Sequence, residues 1–297
     1  MTRVMAPAIV EKQPRSRRPF WHEFVYTRAS LLGLCIVGAA VVIALITPAL
    51  PLPDPTALSA DTYASPSPAH LFGTDNLGRD VFSSVLWGTR LSLLFGVVVA
   101  SLSAVLGIVL GTLPGYFGGI VDDAFSRFFE LFLSIPALVL LIVVVTILGT
   151  NLFVIMVIVG LTVWPSTAKI MRAQVLSQKQ RDYVMAARAA GARDFWIMTR
   201  HIVPNAVQPV IANSTLLIGS AIVLEASLSF LGLGDANIIS WGRLLRSAQA
   251  YYYNAWWMGV FPGLAITVTV LGFTLLGDAL NRILSPTERT LLGLRGR

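Results

Sequence analysis

Stretches of about twenty apolar residues recur along this chain, and each is long enough to carry a helix across roughly 30 Å of hydrocarbon. Six are read, at residues 31–50, 91–113, 131–148, 152–168, 207–230 and 258–280. Only 12% of the 297 residues are charged and 55% are hydrophobic, against about 25% charged in ordinary soluble domains. A water-facing surface cannot be assembled from that pool, so the sequence predicts an all-α membrane protein of six transmembrane helices. Gly149, Thr150 and Asn151 form a turn signal between the third and fourth runs, which makes those two a hairpin across the bilayer. Trp256 and Trp257 are read as an interfacial mark ahead of the sixth.

Orientation follows from the basic residues, which loops on the cytoplasmic side retain near helix ends. Six spans place both termini on one side. That side then holds 18 of the 22 Lys and Arg residues, leaving Arg79, Arg90, Arg243 and Arg246 on the other. The N-terminus, the long loop after the fourth span and the C-terminus are therefore expected in the cytoplasm. The net charge of +7 is explained by this topology. Nucleic-acid binding is not expected, because the charges flank helix ends without aromatic stacking platforms beside them.

The chain divides into a polar, basic cytoplasmic leader (1–28), a first transmembrane helix (29–50), an external segment (51–90), a core (91–285) containing a cytoplasmic loop (169–206), and a cytoplasmic tail (286–297). Pro48, Pro51, Pro53, Pro55, Pro66 and Pro68 make the external segment irregular, and irregular backbone has to stay out of lipid. The leader lacks a small-residue cleavage site after an apolar core, so the first helix is expected to be retained. Cys35 is the only cysteine; it excludes an internal disulfide and a cysteine metal site and is read as a packing residue. Ala100, Ala104, Gly107 and Gly111 share one face of the second helix. Packing within the chain's own bundle accounts for that face, with a dimer contact as its rival.

Two loops and one helix end carry the functional signal. In the cytoplasmic loop, Asp182-Tyr183-Val184-Met185-Ala186-Ala187-Arg188-Ala189-Ala190-Gly191 leads on to Ile202-Val203-Pro204-Asn205. Tyr183, Ala186, Ala187 and Ala190 recur at helical spacing and give a shallow, methyl-lined face over which a partner's groove can close. Gly191 supplies a turn or C-cap, Pro204 ends the loop, and Arg181 and Arg188 share a flank suited to acidic partner residues. This pattern resembles the coupling motif of permease subunits in the dipeptide, oligopeptide and nickel branch of ATP-binding-cassette importers, and within that pair it resembles the C-type permease. Ala186, Ala187, Gly191 and Pro204 stand at the matching places, whereas Met185, His201 and Val203 replace the motif's Glu, Ile and Leu.

Two further stretches are similar to the same family. His70-Leu71-Phe72-Gly73-Thr74-Asp75-Asn76-Leu77-Gly78-Arg79-Asp80-Val81 precedes the second span. Gly73 and Gly78 permit tight turns, and Asp75, Arg79 and Asp80 suit an ion network on the external side. Glu225-Ala226-Ser227-Leu228-Ser229-Phe230 closes the fifth span. An acid there faces either protein or a wet cavity, so Glu225, Ser227 and Ser229 are translocation-path candidates, with satisfaction of Glu225 by neighbouring hydroxyls as the alternative.

Lys12, Lys169 and Lys179 are the only lysines, and none sits in a Gly-rich phosphate loop. The chain is therefore expected not to be an enzyme and to carry no cofactor of its own. A membrane hydrolase is disfavoured because His22, His70 and His201 fall in three separate segments. An ion-coupled secondary transporter would rest on Glu225 alone. What the resemblance implies is a type I importer permease with a MetI-like bundle that moves peptides across the inner membrane. It further implies a sister permease, two cytoplasmic ATPase domains carrying ATP and Mg, an extracellular or periplasmic binding protein, and surrounding lipid. Nickel or another small solute is the alternative cargo.

Overall fold

The computed structural model describes residues 28–284; the leader and tail expected at 1–28 and 286–297 lie outside them, apart from Arg28. The described chain is built of helices joined by irregular segments, with one isolated bridge between Thr74 and Asp80. Helix α1 spans Arg28–Ile46 and runs into a 3₁₀ turn, Thr47–Ala49. Helix α2 is Val81–Phe117, α3 Gly119–Ser134, α4 Ala137–Leu148 and α5 Leu152–Lys179. Three short pieces follow: α6 (Asp182–Ala189), α7 (Asp194–Ile197) and, after a π turn at Met198–Ile202, α8 (Val203–Ala206). Helix α9 is Gln208–Phe230, α10 Trp241–Ala248 and α11 Trp257–Leu284.

Five of these helices are long and apolar enough to cross a membrane, and α3 with α4, bent by 80° at the break between them, makes a sixth where the pair is counted as one span. The straight third span expected at 131–148 is thus two helices. The break falls at Pro136, which has no N–H for the ladder and drives Ile135 into extended backbone (φ −92°, ψ 125°). Helix α4 alone, at 1.5 Å per residue, covers only about 18 Å.

Two other spans outrun their apolar runs. Helix α2 begins at Val81 rather than 91 because Asp80 caps it, accepting from the Ser83 amide at 2.8 Å. Its first turns are covered by protein: Trp241 Nε1 donates to Val85 O at 2.9 Å, and the Trp241 ring lies against Gly88. Helix α5 continues through Lys169 and Arg172 to Lys179, since Met171 and Val175 still pack on α2. Charge marks where lipid ends, and the helix ends later.

The axis of the molecule is the α2–α5 pair. Gly107 meets Thr167, Gly111 meets Ala168 and Met171, and Gly115 meets Val175. A Cβ at any of these glycines would collide with the facing helix. Between lipid-bathed helices close van der Waals approach replaces the hydrophobic effect as the source of association, so these contacts make α2 and α5 one unit. Ser103 and Thr167 hydroxyls add a buried hydrogen bond at 3.1 Å. The small-residue face therefore packs inside the chain's own bundle. Helix α1 closes on α11 in the same way, with Gly33 against Leu275 and Gly272 against Ile36. Cys35, by contrast, is exposed on α1 and is not an internal packing residue.

Candidate functional site

At the end of the bundle where α2 stops and α5 emerges, residues 180–206 form a small cap. Val184, Ile197, Met198, Ile202 and Ala206 turn inward and pack on Met171, Val175 and Tyr116. Val184 anchors α6. Ala187 follows it and is partly buried, so it does not share the outer face with Tyr183, Ala186 and Ala190, which are exposed together with Met185. Gly191 reverses the chain at φ +82° with open space around its Cα. That region of backbone costs an L-residue roughly 1–2 kcal/mol.

Tyr116, the penultimate residue of α2 and almost wholly buried, ties this cap down. Its hydroxyl donates to Asp194 Oδ1 at 2.5 Å and accepts from Arg188 Nη2 at 3.4 Å. Lys179 Nζ, at the end of α5, donates to the Tyr116 carbonyl. The Lys179 and Arg188 cations sit 5.6 and 5.8 Å from its ring centroid. One side chain thus joins α2, α5, α6 and α7. Arg188 is turned toward Tyr116 and is not free on a shared flank with Arg181. Arg181 itself precedes α6 as its exposed N-cap residue, and Asp182 occupies the first turn. Pro204 opens the helical turn α8 rather than ending a loop, and Asn205 Nδ2 donates to His201 O at 2.7 Å. A second brace, the ion pair between Arg172 of α5 and Asp122 of α3, holds the broken crossing.

The sequence reading passed over Tyr116, Lys179, Asp194 and the Asp122–Arg172 pair. A signal did exist in Gly115-Tyr116-Phe117-Gly118-Gly119: an aromatic pair between glycines at the end of a span is placed to leave lipid and meet a loop. Phe195 and Trp196 were also passed over; both are exposed on the cap itself, with the Trp196 ring 4.6 Å from His201.

At the opposite end lies the turn at 70–81. Asp75 is buried and accepts from the amides of Leu77 (2.8 Å) and Arg79 (2.9 Å) and from Arg79 Nε (2.7 Å). Asp80 stands apart from that pair: it caps α2 and meets His70 Nδ1 at 3.1 Å. Gly73 (φ +73°) leaves room for Trp257, whose Nε1 donates to Thr74 O at 3.0 Å; Gly78 (φ +74°) passes close to Ser59. Trp257 is therefore a buried clamp between the turn and α11, while Trp256 remains half exposed. Arg243 of α10 donates to Ile238 O at 3.2 Å; burial first, then the neighbouring Arg79 charge, pulls its guanidinium below its ordinary range.

Glu225 is 3% exposed on α9. Ser229 Oγ donates to its Oε1 at 2.6 Å, and Oε2 has no hydrogen-bond partner. The segment 231–240 and the start of α10 fold over it, with Gly234 on Ser229 and Gly242 on Ala226. A cavity of about 10 Å³ remains, lined by Phe95, Leu152, Leu228, Asp235 and Ser240 among others; that is room for about one water. Ser227 points elsewhere and donates to Val223 O at 2.8 Å. The structure thus brings Glu225 and Ser229 together and leaves Ser227 out.

Comparison with known proteins fits this geometry. The chain is 35% identical over 269 residues to the dipeptide transport system permease protein DppC of Alkalihalophilus pseudofirmus, covering 89% of this chain and 87% of the relative. It is 36% identical over 260 residues to the probable D,D-dipeptide transport system permease protein DdpC of Escherichia coli, covering 85% and 87%. Against the glutathione transport system permease protein GsiD of Pectobacterium atrosepticum it is 36% identical over 293 residues, covering 94% of each. Among solved structures, an inward-facing form of the MetNI methionine ABC transporter matches with a TM-score of 0.53 at 21% identity, over 68% of this chain and 96% of that one, which shows the MetI-like fold. The family model for binding-protein-dependent transport system inner membrane components matches residues 103–290, and this chain, a multi-pass inner-membrane permease, belongs to that family.

Proposed function

We propose that the chain is one half of the membrane pathway of a peptide importer, working with a sister permease, two ATPase domains that hold ATP and Mg, and an external binding protein that delivers cargo. The carrying observation is the cap at 180–206: α6 and its C-cap Ala190 present Tyr183, Met185, Ala186 and Ala190 outward while Val184 and the Tyr116 cluster hold the helix to α2 and α5. A short, small-residue helix fixed to two spans is what a separate motor needs in order to pull on them. Under this reading the cap, the leader and the tail are cytoplasmic and the 51–80 segment is external. Relatives named for dipeptides, D,D-dipeptides and glutathione support a small peptide as cargo. Glu225, with Ser229, is assigned to the pathway as a polar group that α9 carries behind a closed external segment.

The test is a cysteine at Ala186 in a chain whose Cys35 has been replaced. In the assembled complex it should crosslink to an ATPase subunit. Labelling of that cysteine by a membrane-impermeant thiol reagent added outside intact cells would refute the orientation and with it the coupling role.

A further inference from the structure

On the outside of the α1–α2 pair, at the end that carries the 51–80 segment, lies a groove of about 1040 Å³. Its walls are Val41 and Leu45 of α1 and Leu94 and Val97 of α2, all exposed aliphatic side chains. Its rim is built differently. Arg90 lines it, exposed, with its guanidinium 5.2 Å from the Trp87 ring centroid and, among the described residues, no ion pair. Asp54 lines it as well, between Pro53 and Pro55.

The order of these residues along α2 gives the depth. Arg90 immediately precedes the apolar run at 91–113 and Trp87 lies one turn further out, which is headgroup level; Leu94 and Val97 lie one and two turns inside it, at acyl-chain level. Trp87 steadies the guanidinium by its ring face and leaves N–H donors unspent, a geometry suited to the several oxygens of a phosphate. A lone arginine at this depth otherwise stands against lipid without a counterion. Asp54 complements the other half of a zwitterionic headgroup. Hydrogen bonds from the Thr56 hydroxyl (2.6 Å) and amide (2.8 Å) hold its carboxyl below the usual range, so it is an anion on the same rim. Organic ligands of ordinary size fill about 300–1,000 Å³, and this groove has space for something larger and elongated.

We infer that the groove holds one glycerophospholipid with an amine-bearing headgroup, its phosphate on Arg90, its amine toward Asp54 and an acyl chain between α1 and α2. The assignment rests on charge and depth alone and stands whether or not the cap at 180–206 engages a motor.

Native mass spectrometry of the intact transporter complex, released from mild detergent, tests it. The wild-type complex should keep one phospholipid per copy of this chain, enriched in phosphatidylethanolamine over phosphatidylglycerol relative to the membrane it came from. Arg90→Gln should lower that occupancy on the order of fivefold, the effect of one surface cation on an anionic lipid group. Asp54→Asn should erase the ethanolamine enrichment and leave total lipid unchanged. Leu94→Trp fills the groove without touching the core and should displace the lipid with Arg90 still present. Wild-type lipid retention in Arg90→Gln would overturn the assignment. So would a photoreactive group at Leu94 that captures the sister permease instead of lipid.

Discussion

Replacing Tyr116 by phenylalanine removes one oxygen and isolates the contribution of the joint between the cap and the spans. The ring stays, and with it the packing on Val184 and Ile197 and the two cation contacts from Lys179 and Arg188. What goes is the hydroxyl's bond to the Asp194 carboxylate and its weaker contact from Arg188. A hydrogen bond to a charged group is worth about 1.5–3 kcal/mol. Asp194 is exposed, so water takes over as its partner and the loss falls at the low end, about 1.5 kcal/mol, or roughly tenfold in the population of the docked cap. The complex should still assemble, because α6 keeps its outward face. Slack at the joint should appear as ATP hydrolysed without cargo moved. In proteoliposomes containing the complete transporter and saturating binding protein, ATP consumed per cargo molecule should rise between threefold and tenfold, with assembly unchanged. Asp194→Ala should do the same, and the double variant should be no worse than either single one. An unchanged ratio in Tyr116→Phe, or fully additive effects in the double variant, would refute the joint as a transmitter.

Three other substitutions probe separate layers. Gly191→Asp places a side chain on backbone at φ +82°, costs about 1–2 kcal/mol locally and adds an anion beside the outward face of α6; cargo uptake should fall severalfold while co-purification of the ATPases is retained. Gly111→Val drives a branched side chain into Ala168 and Met171, an overpacking cost of about 1–3 kcal/mol or more, and should lower the unfolding temperature and yield of the detergent-solubilised complex before any transport assay is reached. Glu225→Ala takes away a buried carboxyl group that accepts from Ser229; transport should change more than yield, and loss of yield alone would make the residue a packing group.

Much of this architecture is legible because membrane insertion writes it in composition. The apolar runs locate α1, α5, α9 and α11 at their lipid-facing parts, and Gly149 with Asn151 places the tight link between α4 and α5, where Asn151 caps α5 through the Phe153 amide at 2.9 Å. What composition hides is helix covered by protein rather than lipid. The first turns of α2 lie under Trp241, and the last turns of α5 lie against Gly111 and Gly115, so neither needs an apolar surround. The bend at Pro136 was readable from a proline in the middle of an apolar run. Reading 131–148 by hydropathy alone averaged over it.

The same contrast explains which site residues were found. Gly73, Gly78 and Gly191 all have positive φ, and local spacing is enough to expose such positions. Asp75 bonds within four residues of itself, so its pairing with Arg79 is local too. Tyr116 reaches Asp194 across 78 positions of sequence, and Asp122 reaches Arg172 across 50; no periodicity carries information over that distance.

These long-range contacts also decide how force can travel. Three glycine contacts zip α2 to α5 at close range, and Tyr116 and Lys179 bolt the cap onto the end of that pair. At the far end, Trp241 and Trp257 bond to carbonyls of the α2 entry and of the turn before it, which ties α10 and α11 to the same pair. Helices α2 and α5 are therefore the stiff member that spans both sides. Glu225 and Ser229, on α9, are covered by the segment 231–240 that leads into α10. Under the proposed coupling, a displacement of the cap carried along α2 would arrive at the Trp241 contact, where α10 begins directly after this covering segment. The covering segment and the α3–α4 pair are attached to this member by mixed contacts: Asp235 accepts from the Leu152 amide at 3.3 Å, and the buried Phe129 ring packs edge-on against Trp164 beside the Arg172–Asp122 ion pair.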